Sequence, residues 1–218
     1  MSVKKISILM FVCLVMLAAC NKPDPAEKMY EHMERAVSLE ETFAEQQEPL
    51  VTLEKEEKEL YDQIINLGMD EFDEVKRLSQ EALTNISERK EILDVEKGSI
   101  DEAKEEFDNI EQLIEKIKNK PEVKEKAEEL SVAMNERYDA YQTLHESYNT
   151  SLEKDKELYE VLQKEDLEET DLKQQIELVN EHYDKVIEAN NEFNQKTDQY
   201  NQLKEEFYKL AEIDVEYE

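Results

Sequence analysis

Apolar residues recur along most of the chain at alternating spacings of three and four, the pattern that keeps one stripe of an α-helix against a neighbour. The clearest run is Leu172, Ile176, Val179, Tyr183, Val186, Asn190, Phe193, Thr197, Tyr200, Leu203, Phe207 and Leu210, with Asn190 and Thr197 as its polar exceptions. A polar residue on such a seam fixes register at some cost in stability. Another run goes from Phe72 through Val75, Ser79, Ala82, Ile86, Arg89, Leu93, Glu96, Ile100, Ala103, Phe107, Ile110 and Ile114 to Ile117. Its phase passes unchanged through Gly98, so one continuous helix with a weak spot is expected there. The set Val123, Ala127, Leu130, Met134, Tyr141, Tyr148, Leu152, Tyr159 and Leu162 is out of phase with it, and a turn near Pro121 accounts for the slip. Pro121 then occupies a first helical turn, where its missing donor costs nothing.

The earliest run, with Met29, Met33, Ala36, Phe43, Leu50, Leu53, Leu60, Ile64 and Leu67, is the least regular, and Pro49 is expected to kink or interrupt it. Asn66-Leu67-Gly68 reads as a helix end with Gly68 in the left-handed position, and Asp70 with Asp73 as caps for the next start. The breaks predict helices near 26–67, 70–118, 121–163 and 170–212, each roughly 60–75 Å long at ~1.5 Å rise per residue. Short connections cannot cross the length of a rod, so neighbours must be antiparallel. The expected fold is all-α, an elongated up-and-down antiparallel four-helix bundle over 26–218. The rival has three long kinked helices, spectrin-like, and the slipped phase at Pro121 disfavours it.

Composition removes the other fold classes. Only 2 Gly, 4 Pro and no Trp occur in 218 residues, too few turn formers for a β or α/β chain. Charge narrows the partners. With 57 acidic against 27 basic side chains the formal charge is −30, and such a surface repels nucleic acid.

The first residues read as an address. Lys4 and Lys5 precede an apolar stretch from Ile6 to Leu17, which ends at the small Ala18 and Ala19 as a secretory signal does. Twelve apolar residues span ~18 Å, short of a ~30 Å hydrocarbon layer. Leu17-Ala18-Ala19-Cys20 matches a bacterial lipobox, in which cleavage before the cysteine leaves its thiol to carry a diacylglycerol group. The bland alternative is an ordinary signal-peptidase site that releases a soluble chain with a free thiol. The lipobox reading makes 1–19 a lipoprotein signal peptide, 20–25 a lipidated N-terminus and short linker, and Cys20 the lipid attachment site. The predicted place is the outer face of the cell membrane. The mature chain would then lack Lys4 and Lys5, leaving 25 basic against 57 acidic residues, a formal −32. Cys13 leaves with the signal, so no internal disulfide is available.

Catalytic chemistry is not legible. The residues three before His32, His145 and His182 are Met29, Gln142 and Val179, so the Glu-x-x-His pairs of a di-iron bundle are missing. The sequence has no HExxH, phosphate-cradling glycine loop or GxSxG elbow. No catalytic residue, cofactor or metal site is therefore assigned, and the protein is read as a non-enzyme. Acidic clusters such as Asp70-Glu71-Asp73-Glu74 and Glu165-Asp166-Glu168-Glu169-Asp171 read as solvated faces without the turn of a dedicated Ca²⁺ loop. Tyr138, Tyr141, Tyr148, Tyr159, Tyr183 and Tyr200 lie mostly on the seams, so core packing is favoured over a sugar-stacking surface, with hydroxyls expected at the bundle edge. Lys116, Lys118, Lys120, Lys124 and Lys126 surround the Pro121 turn, which a lipid tether at Cys20 would place near anionic headgroups. A merely solvated turn, with lysines complementing a helix C-terminus, explains them equally.

The lipobox and the stretches Asn135-Glu136-Arg137-Tyr138-Asp139-Ala140-Tyr141, Asp155-Lys156-Glu157-Leu158-Tyr159 and Phe193-Asn194-Gln195-Lys196-Thr197-Asp198-Gln199-Tyr200 resemble a family of Gram-positive cell-wall-binding lipoproteins, over nearly the whole chain. The resemblance implies an extracytoplasmic helical bundle and supplies no catalytic residue. The expected function is non-catalytic: a lipid-anchored bundle that binds an envelope partner, either wall polymer or another protein. The alternative is a protein-binding regulator of an envelope enzyme.

Overall fold

The computed structural model describes residues 24–67 and 71–214. Cys20, Gly68 and Asp70, with the expectations attached to them, lie outside the described residues. Among the described residues six α-helices build four rods: α1 (Pro25–Leu39) with α2 (Glu41–Ile65), α3 (Phe72–Phe107) with α4 (Glu111–Ile114), α5 (Pro121–Leu162) and α6 (Glu169–Ala211). The longest, α5 and α6, have 42 and 43 residues, about 63–65 Å at the α-helical rise. The bundle is all-α and up-and-down, and the three-rod alternative is set aside because α2 ends at Ile65.

Two of the starts have a local cause in the sequence. The Asp24 side chain accepts the Ala26 N–H at 3.0 Å and caps α1, with Pro25 at the first helical position. Pro121 opens α5 as expected, after Asn119 takes a left-handed φ of 63° that an asparagine tolerates. The helix α3 runs uninterrupted through Gly98. It ends at Phe107 in a 3-10 turn, Asp108–Ile110, that the hydrophobic phase did not announce. There the Asn109 amide donates to the Glu106 carbonyl at 3.0 Å, a side chain competing for a helix-terminal acceptor.

Pro49 does not interrupt the first rod. The helix α2 passes through it, and the break falls at Glu40 instead. Two further expectations fail on α6. Asn190 and Leu210 are exposed, and Ala189, Tyr208 and Ala211 are buried in their place. An undistorted helix drifts against a strict seven-residue repeat, so the seam slides by one position over forty residues.

The rods pack in sequence order, α1–α2 on α3, α3 on α5 and α5 on α6. At the end carrying Asp24, the ring closes: Met29, Met33, Phe107, Ile110, Leu130 and Phe207 share one buried cluster. Tyr30 and Tyr208 meet edge-on across α1 and α6, 5.2 Å between centroids. The Pro121 turn lies at this end, because Lys120 Nζ sits 3.0 Å from Asp24 Oδ2. Lys124 and Lys126 are likewise paired, with Glu115 at 3.2 Å and Glu206 at 2.9 Å, so three of the five lysines already have carboxylate partners. A distal cluster forms around Ile64, Leu78, Ala82, Leu158, Tyr159 and Leu162. Between the two, α2 stands away from α6.

Candidate functional site

The break at Glu40 has dedicated side-chain support. The Ser99 hydroxyl donates to the Leu39 carbonyl at 2.6 Å and accepts the Phe43 N–H at 3.2 Å, satisfying backbone groups that the interruption frees. Arg137, 5% exposed, donates from Nη1 and Nη2 to the two Glu40 carboxylate oxygens, both at 2.7 Å, the fork geometry suited to a carboxylate. Its Nε donates to Thr197 Oγ1 at 3.0 Å, and its guanidinium lies over the Phe193 ring at 5.1 Å. Thr197, flagged in the sequence as a polar seam position, is thus a partner of a buried arginine.

Beyond this clamp, α2 and α6 enclose a groove of about 670 Å³ floored by α3 and α5. Phe43, Leu50, Leu93, Leu144, Val186 and Phe193 line its interior. Val37, Val51 and Ile187 stand on it at 43%, 62% and 57% exposure, three exposed aliphatic side chains around one opening. Isolated exposed apolar residues are ordinary, whereas their convergence on a concave surface marks an interaction site. Two carboxylates line it together, Glu96 of α3, 4% exposed, and Glu54 of α2. Gln47 Nε2 donates to Glu96 Oε1 at 2.7 Å. Burial, with Glu54 adding repulsion, pushes the Glu96 carboxyl up to about 7. The Tyr141 hydroxyl is buried without a hydrogen-bond partner. Burial and the nearby Lys97 charge hold the His145 imidazole below its usual range.

Toward the distal end a second polar group is fully enclosed. Arg89, 0% exposed on α3, receives side chains from the other three rods. Its Nη2 donates to Tyr148 at 3.2 Å and to Tyr183 at 2.9 Å, while Nη1 lies 3.8 Å from both Glu57 and Asp155. The tyrosines pass the bonding on: Tyr183 donates to Asp155 at 2.8 Å, Tyr148 to Glu54 and Tyr159 to Glu57. Three carboxylates around one guanidinium leave excess negative charge. Burial first, and Glu57 second, push the Asp155 carboxyl up to about 7, outweighing the attraction of Arg89.

The expected place of the tyrosine hydroxyls, at the bundle edge, is corrected by this arrangement. Those of Tyr148, Tyr159 and Tyr183 point inward to the arginine and its carboxylates, and those of Tyr141 and Tyr200 are buried without partners. The sequence reading missed Arg89, Glu96 and Asp155 as a group. Their signal was present, since Arg89 and Glu96 stood on a hydrophobic seam, where a charge demands a buried partner.

Other sequence candidates do not converge. His32 bonds to Glu106 at 2.8 Å, His182 to the Leu178 carbonyl at 2.8 Å, and His145 lies in the groove. Among the described residues no group of three or more His, Cys, Asp or Glu is placed to hold a metal ion. Among them, too, no helix is long and apolar enough to cross a membrane.

Comparison with known proteins agrees with this architecture. A Staphylococcus aureus protein of unknown function, solved at 1.6 Å, superposes with a TM-score of 0.59 over 87% of this chain and 98% of its own, at 14% identity, a likeness of fold alone. The "Uncharacterized lipoprotein YkyA" of Bacillus subtilis (strain 168) is 40% identical over 106 residues, 49% of this chain and 47% of the relative. That alignment spans about half the length of the relative. Residues 24–210, from the cap of α1 nearly to the end of α6, match the family described as "Putative cell-wall binding lipoprotein", and the chain belongs to this YkyA family of lipoproteins.

Proposed function

We propose that the protein is a non-catalytic, lipid-anchored component of the outer membrane face, held by a diacylglycerol group on Cys20, that binds an envelope partner through the groove between α2 and α6. The observation that carries this reading is the family match over 24–210, immediately behind a lipobox at Leu17-Ala18-Ala19-Cys20. In this reading 1–19 is the removed signal, 20–25 the lipidated linker and 26–218 the bundle. Two acyl chains suffice for stable anchoring where one is marginal.

The rod then supplies reach. Its tethered end is the closed end, where Asp24, the Pro121 turn and the last turn of α6 come together. The groove begins beside Glu40 and runs past Val51, about 20–40 Å along the first rod. A site at that height clears the headgroups while the anchor keeps its local concentration high.

An apolar groove with an acidic floor favours a protein partner over an anionic wall polymer, which a body of formal charge −32 repels over a Debye length. This is the specific ground for the second reading, a regulator that binds an envelope enzyme. Wall binding in the stricter sense would need divalent cations to bridge the acidic helix faces to phosphate polymers.

Two measurements test the proposal. A palmitate analogue fed to cells is expected to label the protein and not its Cys20→Ala variant, which should leave the membrane fraction; equal labelling overturns the anchor. Sedimentation with purified walls separates the partners. Pelleting that requires Ca²⁺ or Mg²⁺ and disappears with chelator supports bridged wall binding, and no pelleting in either condition removes it.

A further inference from the structure

We propose that the groove between α2 and α6 is the docking site for an amphipathic α-helix of another protein, one of whose lysines reaches Glu96 and Glu54. This rests on the reading of the protein as a binding module and names the chemistry of its partner.

The shape argues for a helix. Both walls are α-helices whose backbone groups are bonded within themselves, so an extended peptide would find no strand edge to pair with. A helix brings its own backbone bonds and needs only an apolar stripe. From Val37 to Val51 the groove is roughly 20 Å long at the α-helical rise, the span of three to four turns. Its apolar contact surface includes Phe43, Leu50, Val186 and Phe193 with the exposed Val51 and Ile187, which calls for large apolar side chains. A wall peptide of small residues would leave these walls unfilled.

The chemistry of the floor argues for a cation. Glu96 and Glu54 both line the groove; Glu54 accepts the Tyr148 hydroxyl, and Glu96 accepts only the neutral Gln47 amide and no basic side chain. Arg137, the guanidinium lining this groove, is spent on Glu40 and Thr197. The Tyr141 hydroxyl, on a residue only 2% exposed, lines the same floor with no partner and has a lone pair available to an ammonium. The buried Glu96 carboxylate, with the charge of the partly buried Glu54 near it and an unpartnered hydroxyl beside it, gives a lysine what it gives up on leaving water. The acidic body adds steering, which speeds encounter with a basic helix.

The test is fluorescence anisotropy of the mature chain with a labelled eighteen-residue Leu/Lys peptide built as an amphipathic helix. Two control peptides are a scramble without an apolar face and a version with every lysine replaced by glutamine. Three neutral variants are compared, each checked by urea unfolding: Val51→Asn and Ile187→Asn in the groove, and Val132→Asn, exposed on α5 but outside it. The groove variants should each weaken binding about tenfold, as loss of a central aliphatic contact does, and Val132→Asn should leave it unchanged. Glu96→Gln should weaken the lysine peptide and leave the glutamine peptide unaffected. Equal binding of the scramble, or equal loss at Val132, would reduce the effect to attraction by an acidic surface and overturn the proposal. Displacement of the peptide by soluble wall fragments would overturn it in favour of wall material. Because the assay needs no lipid, its failure is separate from any failure of the Cys20 anchor.

Discussion

Two charged side chains lie two turns apart on the same face of α3, and the bundle treats them in opposite ways. Around Arg89 all four rods close, and every tyrosine hydroxyl near it is committed to the arginine or its carboxylates. Around Glu96 the break at Glu40 and the separation of α2 from α6 leave a groove, and the carboxylate meets only Gln47. A buried charge surrounded by its counter-charges is architecture. One left facing an opening with only a neutral partner is a place for something to bind. The same seam thus supplies both the interlock of the bundle and the floor of its candidate site.

Removing the enclosed charge should have the largest effect. Arg89→Ala takes the sole guanidinium from a cluster that holds Asp155 buried and Glu57 partly buried, so unfolding by urea should show a loss of about 3–5 kcal/mol. Adding Glu57→Gln and Asp155→Asn to the same chain should recover part of that loss, because the charges left unpaired are then gone. No recovery would mean that Arg89 acts chiefly through its packing, and the contrast with Glu96 would collapse.

How much of this was readable beforehand follows from what periodicity can report. It found the four rods, the turn at Pro121 and the passage through Gly98, since all three leave a mark on hydrophobic phase. It misplaced the break in the first rod because proline is the strongest local breaker, yet the real break at Glu40 is held by Ser99 and Arg137, which come from α3 and α5. The Arg89 cluster escaped for the same reason. Glu54 and Glu57 are not among the apolar positions that define their segment, and their inward contacts with Tyr148 and Arg89 come from the packing of α2 against α3 and α5. The groove was the least legible feature, being defined by where two helices fail to meet. The lipobox reading of Cys20 concerns a residue outside the described residues.

The next effect is a pH dependence set by two buried carboxyls that shift in the same direction, Glu96 in the groove and Asp155 beside Arg89. Glu96 moves from an ordinary 4.5 to about 7 in the folded chain, and Asp155 from 3.8 to about 7. A carboxyl raised by folding takes up a proton as the chain folds. Its stabilising share is therefore complete below its ordinary value, is lost as pH climbs toward 7, and stays lost above. The lowered carboxylates, such as Glu106 beside His32 and Arg35, titrate in the opposite sense and below this window. Stability should thus fall between pH 5 and pH 8. Glu96→Gln cannot ionise, so relative to wild type it should gain on the order of 2 kcal/mol across that interval. Parallel curves for the two proteins would show that Glu96 is solvated through the groove and carries no desolvation strain.

A smaller effect concerns the hinge that separates the regions. Ser99→Ala leaves the Leu39 carbonyl and Phe43 N–H without their shared hydroxyl and should cost about 1–2 kcal/mol. It should also weaken the Leu/Lys peptide, because the geometry of the break sets how far α2 stands from α6. Lost stability with intact binding would detach the hinge from the groove.

The smallest expected effect comes from the neighbour of that serine. Gly98 lies inside α3 on an exposed face, with a helical backbone and no atom within 4 Å of where a Cβ would stand. Nothing obstructs an alanine, and the unfolded chain has less freedom to lose, so Gly98→Ala should raise stability by about 0.5–1 kcal/mol. Because the face opposite Glu96 is stiffened without any change of charge, the pH slope and the peptide affinity should both remain those of the wild type. A stabilised protein with weakened binding would mean that α3 bends at Gly98 when the groove fills. The floor would then be a moving part, and the difference between the enclosed arginine and the open glutamate would be one of mobility as well as charge.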